Sequence, residues 1–486
     1  VSLAVLLIPL VAALVVALTR QRRLAGAIAV VASGVTFMAA LALGGDAGVR
    51  MAWLPGLGID FYLRPDGADA VLVAVAALVM IPTLAWAAIK VERGASAFLA
   101  LLLAMQAGLN GIFLAKDLVL FYLFWEATLV PSLFLLGVWG RARRREAAMK
   151  FLLYAVAGSF LMLVAILAVR PLSGALSYGL EDLLTATRTL TPATQTWLFV
   201  AFALAFAVKL PLWPLHAWLV DFHEENHASG AADVAGTLYK VGGWGFFAWA
   251  LPLFPEGARA LAPPLLFLAA FTAVYAAVIA AQQRDLKRLL AYASLSHMGI
   301  VGTGLFGLHL AGLSGAVMLL AAQMLSTGGM FLISGMLYER RGSFDLEQYG
   351  GLAKAAPALA GVSLFVLFAA IGVPGLSNFP GEFMSLLGAY QTSPWLAALA
   401  TLGVIAAGVY GVNLYQRLYW GEAENGPARE LGRAEALILA PIIAGILFFG
   451  LLPNAPMSRI DVQAQVIEGQ LRVGTTPDPA LARGER

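Results

Sequence analysis

No position among the 486 is a cysteine. That absence excludes disulfides, a thiolate-held iron–sulfur cluster and a cysteine zinc site. Electrons belonging to any associated redox process must travel through other chains. Charge is also scarce: Asp, Glu, Lys and Arg make up 12% of the residues, about half the roughly 25% typical of soluble domains. In their place, 60% of the chain is hydrophobic and the mean hydropathy is +0.83. This composition identifies an all-α polytopic membrane protein, a helical bundle that forms one continuous unit.

About 20 apolar residues span the hydrocarbon core as a helix. Such runs occur near 2–18, 24–43, 68–89, 95–115, 117–138, 147–169, 196–219, 229–251, 261–281, 289–308, 311–337, 358–390, 395–419 and 434–452, which predicts fourteen spans. No basic region precedes the first run, and Arg20, Arg22 and Arg23 follow it. That polarity is the reverse of a secretory signal and reads as a first transmembrane helix. Basic residues divide unevenly between alternate loops, nineteen against six. The richer set includes Arg141, Arg143, Arg144, Arg145, Arg284, Lys287 and Arg288, and the poorer set includes Arg64 and Lys116. Basic loops stay cytoplasmic, so both ends are predicted on the periplasmic side. The basic balance thus reflects orientation in the bilayer, and nucleic-acid binding is not expected.

Three spans are interrupted. Pro211 and Pro214 follow Lys209, Pro374 and Pro380 with Gly372, Gly375 and Gly381 break the run 358–390, and Pro131 lies five residues after Glu126. Proline removes a backbone donor, and irregular backbone in a membrane survives where it lines a wet or protein-filled cavity. Paired broken helices point to an inverted repeat with its site near the midplane. The expected organisation is a three-helix segment at 1–94, a five-helix repeat at 95–251, its inverted counterpart at 252–420, and a last helix with a polar tail at 421–486. The interrupted seventh and twelfth spans then correspond.

Ionisable groups inside apolar helices are costly and usually functional. Lys209 requires a partner or water, and Glu126 is its natural counter-ion; the competing reading is a static pair pinning two helices. Lys240 follows Asp233 by seven residues, about two helical turns on one face, so a static pair with Asp233 is its bland alternative. The glycines at 236, 242, 243 and 245 permit close packing or leave space for water. His297 suits a proton relay because its ordinary pKa is nearest neutrality, although a packing histidine fits equally. Glu382 directly follows a Pro-Gly break, where a helix N-terminus would also favour an acid. In the stretch 216–227, His223 and His227 are four residues apart. That is a possible metal spacing, but the stretch reads better as a solvated polar loop or a proton-collecting mouth. Arg141 to Arg145 read as an inside loop at lipid headgroups. Together these groups describe a path for protons or ions, with no metal site.

The segments FYLFWEATLVP, AFAVKLPLWPLHAWL, LYKVGGWG, DLKRLLAYASLSHMG, MLYERRGSFDLEQYGGL and GVPGLSNFPGEF occur in this order. They resemble the antiporter-like membrane subunits of respiratory complex I, the proton-pumping NADH:quinone oxidoreductase, from about residue 100 to 420. Glu382, where the L- and N-type subunits generally carry lysine, makes the chain similar to the M-type (chain 4) branch. The resemblance implies that Glu126 and Lys209 form the family's Glu–Lys pair, that Lys240 is its connecting lysine, and that His297 and Glu382 are its relay histidine and terminal acid. It implies no cofactor in this chain, with FMN, iron–sulfur clusters and quinone in other subunits. The implied partners are neighbouring L-type and N-type subunits and the lipid bilayer, and the implied location is the bacterial inner membrane. Val220 stands where the family usually has proline, Glu224, Glu225 and His227 add unusual charge, and Thr327 occupies a position where many M-type chains have histidine. Two alternatives use the same fold: a subunit of a cation/proton antiporter, and one of a membrane-bound hydrogenase.

Overall fold

The computed structural model describes residues 1–237, 240–422 and 428–472. The chain opens with α1 (Ser2–Leu18) and α2 (Arg22–Leu41), then a two-stranded antiparallel hairpin of β1 (Val49–Leu54) and β2 (Ile59–Leu63). The first half continues with α3 (Ala68–Lys90), α4 (Ala95–Leu114), α5 (Leu118–Ala127), α6 (Leu129–Trp139), α7 (Arg144–Ser173), α8 (Leu180–Ala186), α9 (Pro192–Lys209), α10 (Ala217–Glu225) and α11 (Ala231–Thr237). Next come α12 (Val241–Gly245), a π-helical turn (Phe246–Ala250) and α13 (Leu251–Leu253). The second half holds α14 (Pro255–Ala281), α15 (Leu286–Phe306), α16 (Leu310–Arg341), α17 (Leu352–Ala355), α18 (Pro357–Ala370), α19 (Asn378–Thr392) and α20 (Pro394–Tyr419). It closes with α21 (Arg433–Leu451) and α22 (Asn454–Arg472).

Among the described residues, eleven helices are long and apolar enough to cross a membrane. The expected spans at 2–18 and 358–390 contain the shorter apolar helices Ser2–Leu18 and Pro357–Ala370. The expected span at 229–251 is broken into α11, α12 and the π turn. All three expected interruptions are present: α9 ends at Lys209, α5 ends one residue after Glu126, and residues 371–377 separate α18 from α19. Lys240 caps α12.

The centre of the bundle is α16, buried along residues 312–337. It packs on α15, α19, α3, α11, α18 and α21. Small residues set these approaches, as is usual in membranes where close packing replaces hydrophobic drive. A Cβ on Gly381 would lie 2.6 Å from the Leu319 nitrogen, so α19 lies directly against α16. A Cβ on Gly242 would meet the Leu210 nitrogen and the Phe206 carbonyl, and would lie 2.8 Å from the Lys209 carbonyl carbon. The glycines therefore serve close packing, and the backbones carrying the two intramembrane lysines touch.

Charged loops segregate onto two faces. On the basic-rich face Glu224 accepts from Arg288 at 2.6 Å and pairs with Arg143 at 3.1 Å, and Lys90 reaches Glu339 at 2.7 Å. The Arg141–Arg145 segment is thus tied to α10 rather than left to lipid, with Arg143 also on Glu225 at 3.2 Å. The 216–227 stretch is likewise no solvated loop: α10 buries Trp218, Phe222, His223 and Glu225. The hairpin occupies the other face, where the Val1 amino group lies 3.3 Å from Asp46. The expected polar tail contains α22, an additional helix on that face whose Asp461 accepts from Ser314 at 2.5 Å and whose Glu468 accepts from the Leu310 N–H at 3.0 Å.

Candidate functional site

Four of the five predicted residues are buried within the bundle, and the fifth, Glu126, is half-buried. Lys209 ends α9, and its ammonium lies 5.1 Å from the centre of the Trp125 ring, a cation–π contact. Glu126 is the next residue of α5, and its charge acts on Lys209. Lys209 thus rests on the aromatic face of the residue next to Glu126.

Lys240 does not pair with Asp233. Its Nζ donates to Gln323 Oε1 at 3.0 Å, and the same oxygen accepts from Thr327 Oγ1 at 2.6 Å. Gln323 and Thr327 are one turn apart on α16, so a single helix face presents both. Among the described residues no carboxylate lies within ion-pair distance of Lys240. Asp233 is instead held by Lys287, Nζ to Oδ2 2.6 Å, and by His223, Nδ1 to Oδ1 3.1 Å. Lys287 also donates to the carbonyl oxygens of Asn226 and His227, each at 3.0 Å.

His297 and Glu382 meet in the second half. His297 Nδ1 lies 3.0 Å from Glu382 Oε1, and its Nε2 lies 3.4 Å from the Tyr410 hydroxyl. The Nδ1–Oε1 contact is close without hydrogen-bond alignment. Gly372 has φ +77° and faces the Glu382 carboxylate, which occupies the space a Cβ would need. Only glycine tolerates both that conformation and that approach. Within the second half, among α15, α16, α18 and α20, lies a cavity of about 20 Å³, with Ser294, His297, Thr327 and Tyr410 in its wall. One water needs roughly 10–15 Å³ of such volume and two or more polar partners. The order of groups is therefore Glu126, Lys209, Lys240, Gln323, Thr327, the cavity, His297 and Glu382.

A second cluster lies on the hairpin face. Lys116, 2% exposed, donates to Asp66 at 2.8 Å and to Asp69 at 2.9 Å. Arg64 clasps Asp66 at 2.7 Å and also contacts Glu181. Burial acts to lower the Lys116 pKa, but Asp69 and Asp66 outweigh it and hold the ammonium above its ordinary value. Burial similarly opposes the Asp66 carboxylate, but Lys116 and Arg64 hold its pKa below the usual range.

Sequence reasoning missed Lys287, Gln323, Thr327 as a Lys240 partner, Tyr410 and the Lys116 clamp. Lys287 stands between Arg284 and Arg288 and reads as loop charge. Its seven-residue spacing to Ser294 places both on one helical face, a signal that could have marked it. Gln323 carries no charge in an apolar helix, so only its position distinguishes it.

Residues 115–408 match the family described as NADH:quinone oxidoreductase/Mrp antiporter, TM. The chain is 44% identical over 434 residues to NADH-quinone oxidoreductase subunit 13 of Thermus thermophilus, covering 88% of this chain and 91% of that one. It is 37% identical over 415 residues to NADH-quinone oxidoreductase subunit M of Rhodobacter capsulatus, covering 83% and 80%. A chain in the structure of respiratory complex I from Thermus thermophilus with bound NADH superposes with a TM-score of 0.92 at 41% identity, over 97% of this chain and 99% of that one. The chain belongs to the NADH:quinone oxidoreductase/Mrp antiporter transmembrane family, among its M-type members.

Proposed function

We propose that this chain is a proton-translocating membrane subunit of an NADH:quinone oxidoreductase and performs no electron chemistry itself. The observation that carries this reading is the interior row of ionisable and hydroxyl groups, from Glu126 and Lys209 through Lys240, Gln323 and Thr327 to His297 and Glu382. An ammonium at the bilayer centre costs about 2.5–3.5 kcal/mol on insertion scales, so two such lysines require a reason. Weakening the Glu126–Lys209 association releases the Lys209 proton toward Lys240, and restoring it favours reloading from the cytoplasm. Each pKa unit is worth about 1.36 kcal/mol, against about 2.3 kcal/mol per 100 mV of membrane potential. Shifts of a few units therefore suffice to gate a proton.

In this reading FMN, iron–sulfur clusters and quinone belong to other subunits, and L-type and N-type antiporter-like chains are the membrane neighbours. The fold comprises fourteen crossings in the bacterial inner membrane, with α12, the π turn and α13 completing one crossing and α18 with α19 another. Units 95–251 and 252–420 are inverted repeats, and the hairpin face is periplasmic.

Replacing Lys209 by Ala in the assembled complex is expected to abolish NADH-driven proton uptake into inverted vesicles. Normal stoichiometry in that variant would sink the role. Sodium-dependent transport without NADH or quinone would instead support the antiporter alternative.

A further inference from the structure

We infer that His223, Asp233 and Lys287 form a proton-uptake relay that feeds Lys240 from the basic-rich face. The inference rests on the proton-translocation reading above and adds residues to it that the family resemblance did not supply.

All three side chains are sealed from solvent, at 1%, 0% and 0% exposure. They come from three elements, α10, α11 and α15, and converge on one carboxylate: Asp233 Oδ2 faces Lys287 at 2.6 Å and Oδ1 faces His223 at 3.1 Å. His223 is stacked on Phe331 of α16, ring centres 4.5 Å apart. It also fits against Gly236, where a Cβ would stand 3.1 Å from its Cε1. The imidazole is thus fixed in place.

The cluster connects in both directions. Outward, the Lys287 ammonium is bonded to the His227 carbonyl, and His227 lines an open cleft of about 610 Å³ with Lys90, Glu92, Arg93 and Arg144. Inward, the charge on Lys240 acts on His223, and Lys240 follows α11, which carries Asp233. A buried ion pair is weak as a stabiliser, because well-packed apolar residues of equal volume do as well. A third titratable group on the same carboxylate gives the pair the onward proton acceptor that a relay needs.

The proton balance is simple. Lys287 gives a proton to Asp233 across the 2.6 Å contact, and Asp233 gives it to His223 Nδ1 across the 3.1 Å contact. His223 releases a proton from its other ring nitrogen to the neutral amine of Lys240. Lys287 is then reloaded by a water-borne proton from the cleft. Lys287 and Asp233 end as they began, and Lys240 holds the added proton. His223 ends in its other neutral tautomer and must exchange its proton back before the next transfer. Only N–H and O–H bonds have changed.

The test is Asp233→Asn in the assembled complex, read in inverted membrane vesicles. Proton pumping is expected to slow by about a hundredfold, the lower end of the range for losing a positioned proton-transfer group. Electron transfer from NADH to ferricyanide should be unchanged, which reports an intact redox arm. Asp233→Glu should recover at least half the rate, and lowering the pH on the cytoplasmic face should partly restore Asp233→Asn. Wild-type pumping in Asp233→Asn overturns the relay. Should that variant fail to assemble, the double replacement Asp233→Leu with Lys287→Met decides: assembly without pumping supports the relay, and pumping at the wild-type rate overturns it. Lys209→Ala, run in parallel, separates the two levels. If it is silent while Asp233→Asn pumps, only the relay falls; if it also pumps, the proposed function falls with it.

Discussion

Lys116 and Lys240 are both lysines buried to within 5% of full enclosure, and their surroundings are opposite. Lys116 sits between two carboxylates at 2.8 and 2.9 Å. Lys240 donates to one neutral amide oxygen at 3.0 Å. Two acids more than balance one ammonium, so Lys116 keeps its proton and serves the architecture that ties the hairpin to α3. An amide offers a dipole and no counter-charge. Burial alone does not make a lysine a proton carrier; the charge of its partner decides.

That contrast can be broken deliberately. The largest effect is expected from Gln323→Glu, which gives Lys240 the kind of partner Lys116 has. The lysine should retain its proton, and NADH-driven pumping should fall about tenfold or more, since proton transfer depends on matched pKa values. Unaltered pumping would show that partner charge is not the controlling variable. A smaller loss, several-fold, is expected from Thr327→Val, which removes the hydroxyl between Gln323 and the cavity while keeping the side chain's shape. Pumping rate at saturating NADH is the measurement, and partial rescue by Thr327→Ser would tie the loss to the hydroxyl.

Lys116→Met should leave pumping unchanged and weaken the fold instead, by about 3–5 kcal/mol, the cost of leaving a buried acid without its partner. Thermal unfolding of this chain in the solubilised complex would read that loss. The smallest expected effect is the pH dependence of this cluster. The Asp66 pKa is held below its ordinary 3.8, so its contribution to stability is present above that value and is lost as pH falls through the lowered one. The Lys116 pKa is raised above 10.5, so its contribution is full below that value and is lost as pH rises through the raised one. Unfolding temperature should therefore be level between these limits, with a shallower acid-side decline in Lys116→Met.

Much of the site was legible because charge is so rare in this chain. Lys209, Lys240, Glu126 and Glu382 stand out against apolar runs, and the prolines after Lys209 and around Glu382 marked real helix breaks. Lys287 was hidden by its basic neighbours Arg284 and Arg288, whose charge pattern fits a loop. Helix α15 begins at Leu286, with the Asp285 side chain capping it by accepting from the Arg288 N–H, and this first turn carries Lys287 inward. Spacing along one helix offers Asp233 as a static partner for Lys240, the bland alternative to a proton carrier. Spacing fails there because Lys287, from another element, takes the carboxylate. The hairpin and α22 went unread because two short strands and a polar amphipathic helix give weak signals beside membrane spans.

Composition and spacing were enough to show that the chain is a membrane-embedded helical protein, where its charges interrupt the apolar runs, and which loops share a face. Transfer of apolar surface and of charge into lipid is strong enough to be read from composition and spacing alone. Tertiary structure alone decided the partners: an amide for Lys240, two acids for Lys116, and Lys287 with His223 for Asp233. Those partners come from elements far apart in the chain, and electrostatic coupling falls off over a few ångströms. Proton affinity here is a property of the packed bundle.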